Sequence, residues 1–512
     1  MEASRAVERS CLQSTRARGG LGIVFVSAFS CLAFTLGGCK VGSDDIEYWK
    51  GTVKGPGKII AVMLADKYPV ELRTQAALAL VDMERTDRDG TSDLQQALQN
   101  LEEPERNELI KGMVPGLEQL MKQAEPPAPG APAGAPSPRQ IRAKDAAFLL
   151  VTNAPADVKP KLTDDVIAWY MEDFNGRSLA GNYSAEQVVR ALGPSSAKEL
   201  SKGLKARMPA PALVKMSQLI GQVADPQSKN EAGAKLVAIA DEMQGKDFLA
   251  WVRQTVKEQA ERQNLKLDVK KLEVLAESNR DNFINDGAVP AMKWLADAPI
   301  VKKRLLSMAS TPAPGEAGTT RRTRALQALE GKVSGADLHQ IMPLALGKEN
   351  PTSVRDYAFD RIGDIRSPEA LPALWPLVSS TEDARLRWRA GELVLAIGGA
   401  VVVPDFISRL PSGADYAPEE LEGYATRLSQ ISPAPSDTMR SQLASSNWYA
   451  RVIAARFFER KGNADDVRRL DALSNDKASV KGPRWGKTKT VGDVATEAAT
   501  AAKQRLAQPG AM

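Results

Sequence analysis

The sequence predicts an all-α fold, and three features predict it. Aromatic residues make up 5% of the 512 positions, so the aromatic and β-branched runs that favour strands are sparse. Long stretches are instead rich in Ala, Leu, Glu, Lys and Arg, which lose little conformational freedom on entering a helix. A triplet also recurs: a basic residue, Ala three positions later, and an apolar residue four beyond that. It occurs at Arg73/Ala76/Leu80, Lys144/Ala147/Val151, Lys229/Ala232/Leu236, Arg322/Ala325/Leu329, Arg355/Ala358/Ile362, Arg387/Ala390/Val394 and Arg451/Ala454/Phe458. In the last third its separations are 33, 32 and 64 residues: one period, then one, then two. Ala and an apolar residue four apart share one helix face, placing a small contact beside a large one where two helices approach closely.

The segments ahead of the triplets repeat as well. Ile341-Met342-Pro343-Leu344 precedes Arg355 and Leu374-Trp375-Pro376-Leu377 precedes Arg387, with the prolines again 33 apart. Each unit reads as a helix bearing a proline, a short turn, and a second helix opening near the basic residue. Asn350-Pro351-Thr352-Ser353 and Ser380-Thr381-Glu382-Asp383 supply cap residues for the second helices. The pattern resembles HEAT repeats, whose helix pairs carry a proline in the first helix and a Val-Arg-x-x-Ala stretch opening the second, as in Val354-Arg355-Asp356-Tyr357-Ala358. The resemblance implies an α-solenoid of antiparallel helix pairs. It covers residues 321–460, extends to Ile59–Met83, and is loose over 141–310, where the repeat is degenerate. A non-repetitive helical domain whose alanine-rich helices mimic a period is the alternative, and it too is all-α.

Two stretches break the helical texture, 125–140 (EPPAPGAPAGAPSPRQ) and 311–320 (TPAPGEAGTT). Pro, Ala and Gly at this density read as semi-rigid linkers. They divide the chain into an amino-terminal repeat segment (39–124), a degenerate repeat region (141–310) and carboxy-terminal repeats (321–475), followed by a basic loop and tail (476–512).

At the amino terminus, Arg5, Arg9, Arg16 and Arg18 precede a sixteen-residue uncharged run from Leu21 to Leu36. These read as the n-region and h-region of a signal peptide, because crossing the hydrocarbon core comfortably takes ~20 residues. Leu36-Gly37-Gly38-Cys39 follows and resembles the lipobox of bacterial lipoprotein precursors. The resemblance implies acylation of Cys39, cleavage before it, and a mature protein held to a membrane by acyl chains. An uncleaved signal anchor is the alternative. Lys40 stands where, in the best-known sorting rule, an Asp would retain a lipoprotein at the inner membrane, so the expected location is the periplasmic face of the outer membrane.

Composition narrows the functional classes. Hydrophobic residues are 43% and charged residues 26%, close to the averages for soluble globular proteins. The formal charge is +5, and the four arginines against two glutamates in residues 1–38 leave +3 for the remainder, with both signs interleaved. No basic stripe of the kind a nucleic-acid-binding domain carries is legible. All three cysteines (Cys11, Cys31, Cys39) lie in the first 39 residues and the single histidine is His339. This removes intrachain disulfides from the mature chain and leaves thiolate zinc sites and imidazole chemistry without their residues. No GxxxxGK[ST], GxGxxG, HExxH or GxSxG string occurs, and no metal or cofactor is expected. Asp82–Gln96 resembles a calcium loop at Asp87-x-Asp89-Gly90, but Arg85 and Gln96 occupy positions that need carboxylates.

A scaffold or binding role for a macromolecular partner, without catalysis, is the expectation. The rival is an envelope enzyme acting on glycans through carboxylates, although pairs such as Asp164/Asp165 and Glu419/Glu420 are adjacent in sequence and point apart on a helix. Arg361, Arg389 and Arg456 lie beyond the repeat-defining arginines on positions that need not be buried, and are candidates for meeting an acidic protein or an anionic envelope polymer. Trp485 with Lys481, Arg484, Lys487 and Lys489 could clamp an anion by charge and stacking. The alternative for that loop is that Trp485 packs back on the last repeat.

Overall fold

The computed structural model describes residues 41–84, 90–122, 136–174 and 183–508. The lipobox and the first 40 residues lie outside that set, as do residues 125–135 of the first expected linker and Arg85–Asp89 of the calcium-like loop. Among the described residues the regular structure is helical, with one isolated antiparallel bridge between Ser479 and Thr490 and no strand.

Five helices form the amino-terminal part: α1 (Ser43–Lys50), α2 (Gly55–Leu64), α3 (Val70–Asp82), α4 (Gly90–Gln99) and α5 (Glu103–Lys122). The middle holds α6 (Pro138–Val151), α7 (Lys159–Phe174), α8 (Ala185–Leu192), α9 (Pro194–Gly203), α10 (Ala210–Val223), α11 (Pro226–Gln244), α12 (Lys246–Arg262), α13 (Val269–Asn282), α14 (Val289–Lys293) and α15 (Pro299–Ser310). The carboxy-terminal part runs through α16 (Gly315–Ala328), α17 (Leu338–Leu346), α18 (Thr352–Ile365), α19 (Leu371–Val378), α20 (Ala384–Gly398), α21 (Val403–Arg409), α22 (Pro418–Gln430), α23 (Ser436–Gln442), α24 (Trp448–Lys461), α25 (Ala464–Leu473) and α26 (Val491–Ala507).

The repeat reading holds in the last part. Pro343 lies inside α17 and Pro376 inside α19, each helix packing antiparallel on the one that follows, α18 and α20. The second helices then stack in order, α16 on α18, α18 on α20, α20 on α22, α22 on α24 and α24 on α26. Each unit thus touches chiefly its neighbours, the arrangement that defines a solenoid. In the middle region α11 packs on α15, while α12 and α13 form a hairpin between them in sequence, with a π-helical turn at Phe283–Ala288 leading into α14. That hairpin separates α11 from α15 in the sequence while the two pack together.

All seven triplets bury their Ala and their apolar residue, from Ala76 and Leu80 to Ala454 and Phe458. The basic residue has a role that spacing alone did not reveal. Arg73 Nε donates to the Met63 carbonyl at 2.9 Å, Arg322 Nε to Ala309 at 2.8 Å and Arg355 Nε to Ala345 at 3.3 Å. Arg387 Nη1 reaches Ser380 O at 3.2 Å and Arg451 Nη1 reaches Ser445 O at 2.5 Å. In each case a cation on the second helix meets a carbonyl at or just past the end of the first helix. Those carbonyls have no intrahelical partner and sit at the negative end of the helix dipole.

Local chemistry corrects two expectations. Asp383 caps α20 by accepting from Leu386 N at 3.0 Å, but Asn350 serves the preceding helix, donating from Nδ2 to Pro343 O and Leu344 O at 3.2 Å each. The described ends of the two Pro/Gly-rich stretches are also helical. Pro138–Gln140 form the first turn of α6, held by a Ser137/Gln140 capping box, and Gly315–Thr320 open α16, which packs directly on α15. Proline is compatible with a helix's first turn, where its missing N–H is not needed.

The run Ala384–Arg409 is long and apolar enough to cross a membrane by length and composition. It contains Arg387, buried among the repeats, and is interrupted at Gly399, whose φ of 60° takes the chain out of α20.

Replacing Ala358 or Ala390, both fully buried, by Leu should destabilise the carboxy-terminal repeats by about 1–3 kcal/mol, the usual cost of overpacking. Urea unfolding followed by helical signal checks this. An unchanged midpoint for both variants would contradict the observed register.

Acid sensitivity is built into α25. Burial alone would raise the Asp466 carboxyl, but Arg440 at 2.7 and 3.2 Å and the Asn463 N–H at 3.1 Å outweigh it and hold its pKa below the usual range. A depressed folded pKa favours folding wherever the group is ionised. Its contribution is present above the ordinary carboxylate value of about 3.9 and is lost as pH falls through the lower folded value. Asp466→Asn should therefore lower stability at neutral pH and flatten its acid limb, as measured by urea midpoints across pH.

Candidate functional site

The stacked second helices form one surface, and charged side chains join one helix to the next across it. Arg321 pairs with Asp281 at 2.6 Å and Arg324 with Asp286, tying α16 to α13 and the π turn. Arg385 and Arg389 on α20 pair with Asp356 and Asp360 on α18. Arg456 and Arg460 on α24 pair with Glu422 on α22, and Arg456 reaches Glu497 on α26 at 2.9 Å. The α18/α20 and α22/α24 steps are thereby bridged by a cation on the later helix and a carboxylate on the earlier one, and the α24/α26 step by the reverse.

The step from α20 to α22 is built differently. Its bridge lies inside: Arg387 and Glu420, 1% and 2% exposed, form a two-pronged pair with both nitrogen–oxygen distances at 2.8 Å. Tyr424 donates to Glu420 at 2.9 Å, and Arg387 stacks 4.4 Å above the Tyr416 ring. On the surface this step leaves a cavity of about 270 Å³ lined by Glu392, Glu419, Glu422, Gly423, Thr426, Arg427 and Gln430. Gly423 lets α22 approach α20 closely: a Cβ there would meet Trp388 Nε1 at 2.7 Å and Glu392 Oε1 at 3.0 Å. The Trp388 indole N–H is buried without a hydrogen-bond partner, and Glu392 has no ion-pair or hydrogen-bond partner among the described residues. Of the lining carboxylates, Glu419 and Glu422 are ion-paired and Glu392 is the one without a partner among the described residues, so the cavity offers a single free carboxylate beside amide and hydroxyl groups, chemistry suited to a cationic or amide-bearing side chain of a protein.

The sequence-selected arginines are placed otherwise than expected. Arg361 is buried, donating from Nη1 to Leu326 O at 3.0 Å and pairing with Asp364 at 3.0 Å, so it holds α18 to α16 and is not a surface group. Arg389 and Arg456 are partly exposed, but each is already neutralised by the carboxylates named above. The reason is the repeat itself: an arginine on the shared edge of two second helices finds an acidic residue one repeat away. Arg361 is thus corrected to a buried, structural arginine, while Arg389 and Arg456 stand at the surface with their charges shared among those carboxylates.

In the 477–489 loop, Trp485 packs back on the repeats, its Nε1 donating to Tyr416 O at 2.7 Å, and Arg484 pairs with Glu419 at 2.9 Å on the cavity rim. Tyr416 N in turn donates to Lys481 O at 3.0 Å. Gly482, at φ 137°, passes so close that a Cβ would lie 2.3 Å from Tyr416 O. The ring is thereby partly buried against the repeats, while Lys481 and Lys487 are exposed without ion-pair partners among the described residues. His339 is exposed, Nδ1 lying 2.8 Å from Ala336 O. Among the described residues no group of three or more His, Cys, Asp or Glu is placed to hold a metal ion.

Sequence reasoning missed Glu392, Trp388 and the cavity. Glu392 and Glu422 are thirty residues apart and meet only through stacking. The one available signal was Gly423, a glycine inside a helical stretch, which often marks a close approach.

Fold and surface together define an all-α helical-repeat protein. No family model and no curated protein matches the sequence. Among solved structures the chain is similar to Kap121p, at 13% identity over 90% of this chain and 49% of that one, with a TM-score of 0.41. It is also similar to Kap121p bound to Pho4p (13% identity, 92% and 48% covered, TM-score 0.33) and to importin beta (13%, 91% and 68%, TM-score 0.27). The chain spans about half the length of the Kap121p structures it matches. At these levels of identity and superposition the likeness assigns no residue and no function to this chain.

Proposed function

We propose that the protein is a non-enzymatic scaffold, acylated on Cys39 and held at the periplasmic face of the bacterial outer membrane, whose second-helix surface binds a protein partner. The observation that carries the binding role is the cavity between α20 and α22. There Glu392, which has no ion-pair or hydrogen-bond partner among the described residues, lines a surface gap with Thr426 and Gln430. A solenoid offers a long curved surface for such contacts, and a gap with unmet polar groups is where a partner's side chain gains most. The neutralised arginines weigh against an anionic polymer as the partner on this face.

A glycan-cleaving enzyme needs two carboxyl groups facing one substrate across roughly 5–9.5 Å. Glu419 and Glu420 diverge instead, one bound to Arg484 at the surface and the other locked on Arg387 inside.

Photo-crosslinking residues at Thr426 and Gln430, beside the cavity, and at Gln340 and Pro372, on the first helices, test the reading in intact cells. Discrete protein adducts from the first pair, absent from the second and abolished by Glu392→Lys, are expected. Equal labelling from both faces, or adducts unaffected by Glu392→Lys, would contradict it.

A further inference from the structure

Val41, the first described residue, follows Cys39 by two positions, a contour of about 7 Å even when fully extended. Acyl chains on Cys39 would therefore hold the start of α1 close to the lipid headgroups, with the turn into α2 one short helix, about 12 Å, further on. The side chains at that corner are unusual for a face meant only for water. Tyr48 is 73% exposed and Val53, at the tip of the turn, is 100% exposed. Between them Trp49 is half-buried, and the Lys58 ammonium lies 5.1 Å from its ring centroid. Lys54 and Lys58 are exposed on the same turn, whereas Lys50 is turned inward onto Asp82 and Glu47, each at 2.6 Å.

We infer that the Tyr48–Lys58 corner is a membrane-contact surface, its occupant the bilayer that holds the acyl anchor. Val53 enters the boundary between headgroups and acyl chains, Tyr48 and Trp49 lie at the interface where amphipathic rings are favoured, and Lys54 and Lys58 meet lipid phosphates. Asp44, Asp45 and Glu47 are exposed on α1, with Asp45 accepting from Gly42 N at 2.9 Å, so the corner is nearly charge-balanced and its apolar tip leads the contact. The consequence is orientational: the solenoid is docked on the membrane by its first turn and does not swing on a free tether. The inference rests on acylation of Cys39.

The test uses the full acylated chain, purified from membranes and reconstituted into vesicles of phosphatidylethanolamine and phosphatidylglycerol. Val53→Cys, Tyr48→Cys and, as reference, Val274→Cys on α13, where Val274 is 60% exposed, each carry one environment-sensitive fluorophore. Lipids brominated near the headgroup should quench the labels at 53 and 48 and shift their emission to the blue, leaving the label at 274 unchanged. Equal, weak quenching at all three positions in protein that carries the acyl group and floats with the vesicles would overturn the membrane contact alone. Purified protein without an acyl group on Cys39 would overturn the anchored reading and this contact with it.

Discussion

Replacing Arg387 by alanine is expected to destabilise the carboxy-terminal repeats by about 3–5 kcal/mol, the range for removing one partner of a buried ion pair. The loss comes mostly from what remains. Glu420 is 2% exposed and would be left without its cation, with Tyr424 its remaining hydrogen-bond donor and the stacking of the guanidinium on Tyr416 gone. The carbonyls of Ser380 and Asp415, which accept from Arg387 at 3.2 and 2.8 Å, would lose their donor as well. Hydrogen exchange over α20 and α22 should report the change before the amino-terminal helices respond, because repeats couple chiefly to their neighbours. The double variant Arg387→Met/Glu420→Leu should recover much of the loss, since it leaves no uncompensated charge. Unchanged exchange in the single variant would mean that the pair is not buried as described.

The second large effect is at Phe458, the apolar member of the last triplet. It is fully buried on α24 with its ring 5.1 Å from that of Phe457, edge to face at 77°. Helix α24 packs on α22, α23, α25 and α26, so a void there touches several units at once. Phe458→Ala should cost about 3–5 kcal/mol, and Phe458→Leu much less because it keeps most of the volume. Chemical unfolding of both variants checks the order. Equal small losses would show that this part of the core collapses around the change.

Much of the fold was legible because periodic burial leaves a periodic trace. The Ala and apolar positions of all seven triplets face inward, including Ala147, Val151, Ala232 and Leu236, in the region where the repeat looked degenerate. What spacing could not show is that Arg73, Arg322 and Arg355 are recurrent because each answers a helix end. Nor could it show that Arg361 is buried: one further residue along α18 turns a side chain by a large fraction of a helical turn, and inter-repeat packing decides what it meets. The cavity was illegible for a similar reason, since Glu392, Glu419 and Gly423 converge only when α20 and α22 are laid side by side. The Trp485 loop could be read two ways from composition, and the Tyr416 carbonyl decides between them.

The proposed anchoring presents this helical-repeat surface at a membrane through Cys39. Mass spectrometry of the amino-terminal peptide of the protein taken from membranes tests it most directly, alongside palmitate labelling of Cys39→Ser. Acylation at this position predicts a mature chain beginning at Cys39 and carrying diacylglyceryl, and an unlabelled, unprocessed precursor for the variant. A chain that retains Met1, or one cleaved elsewhere and free of lipid, would contradict it.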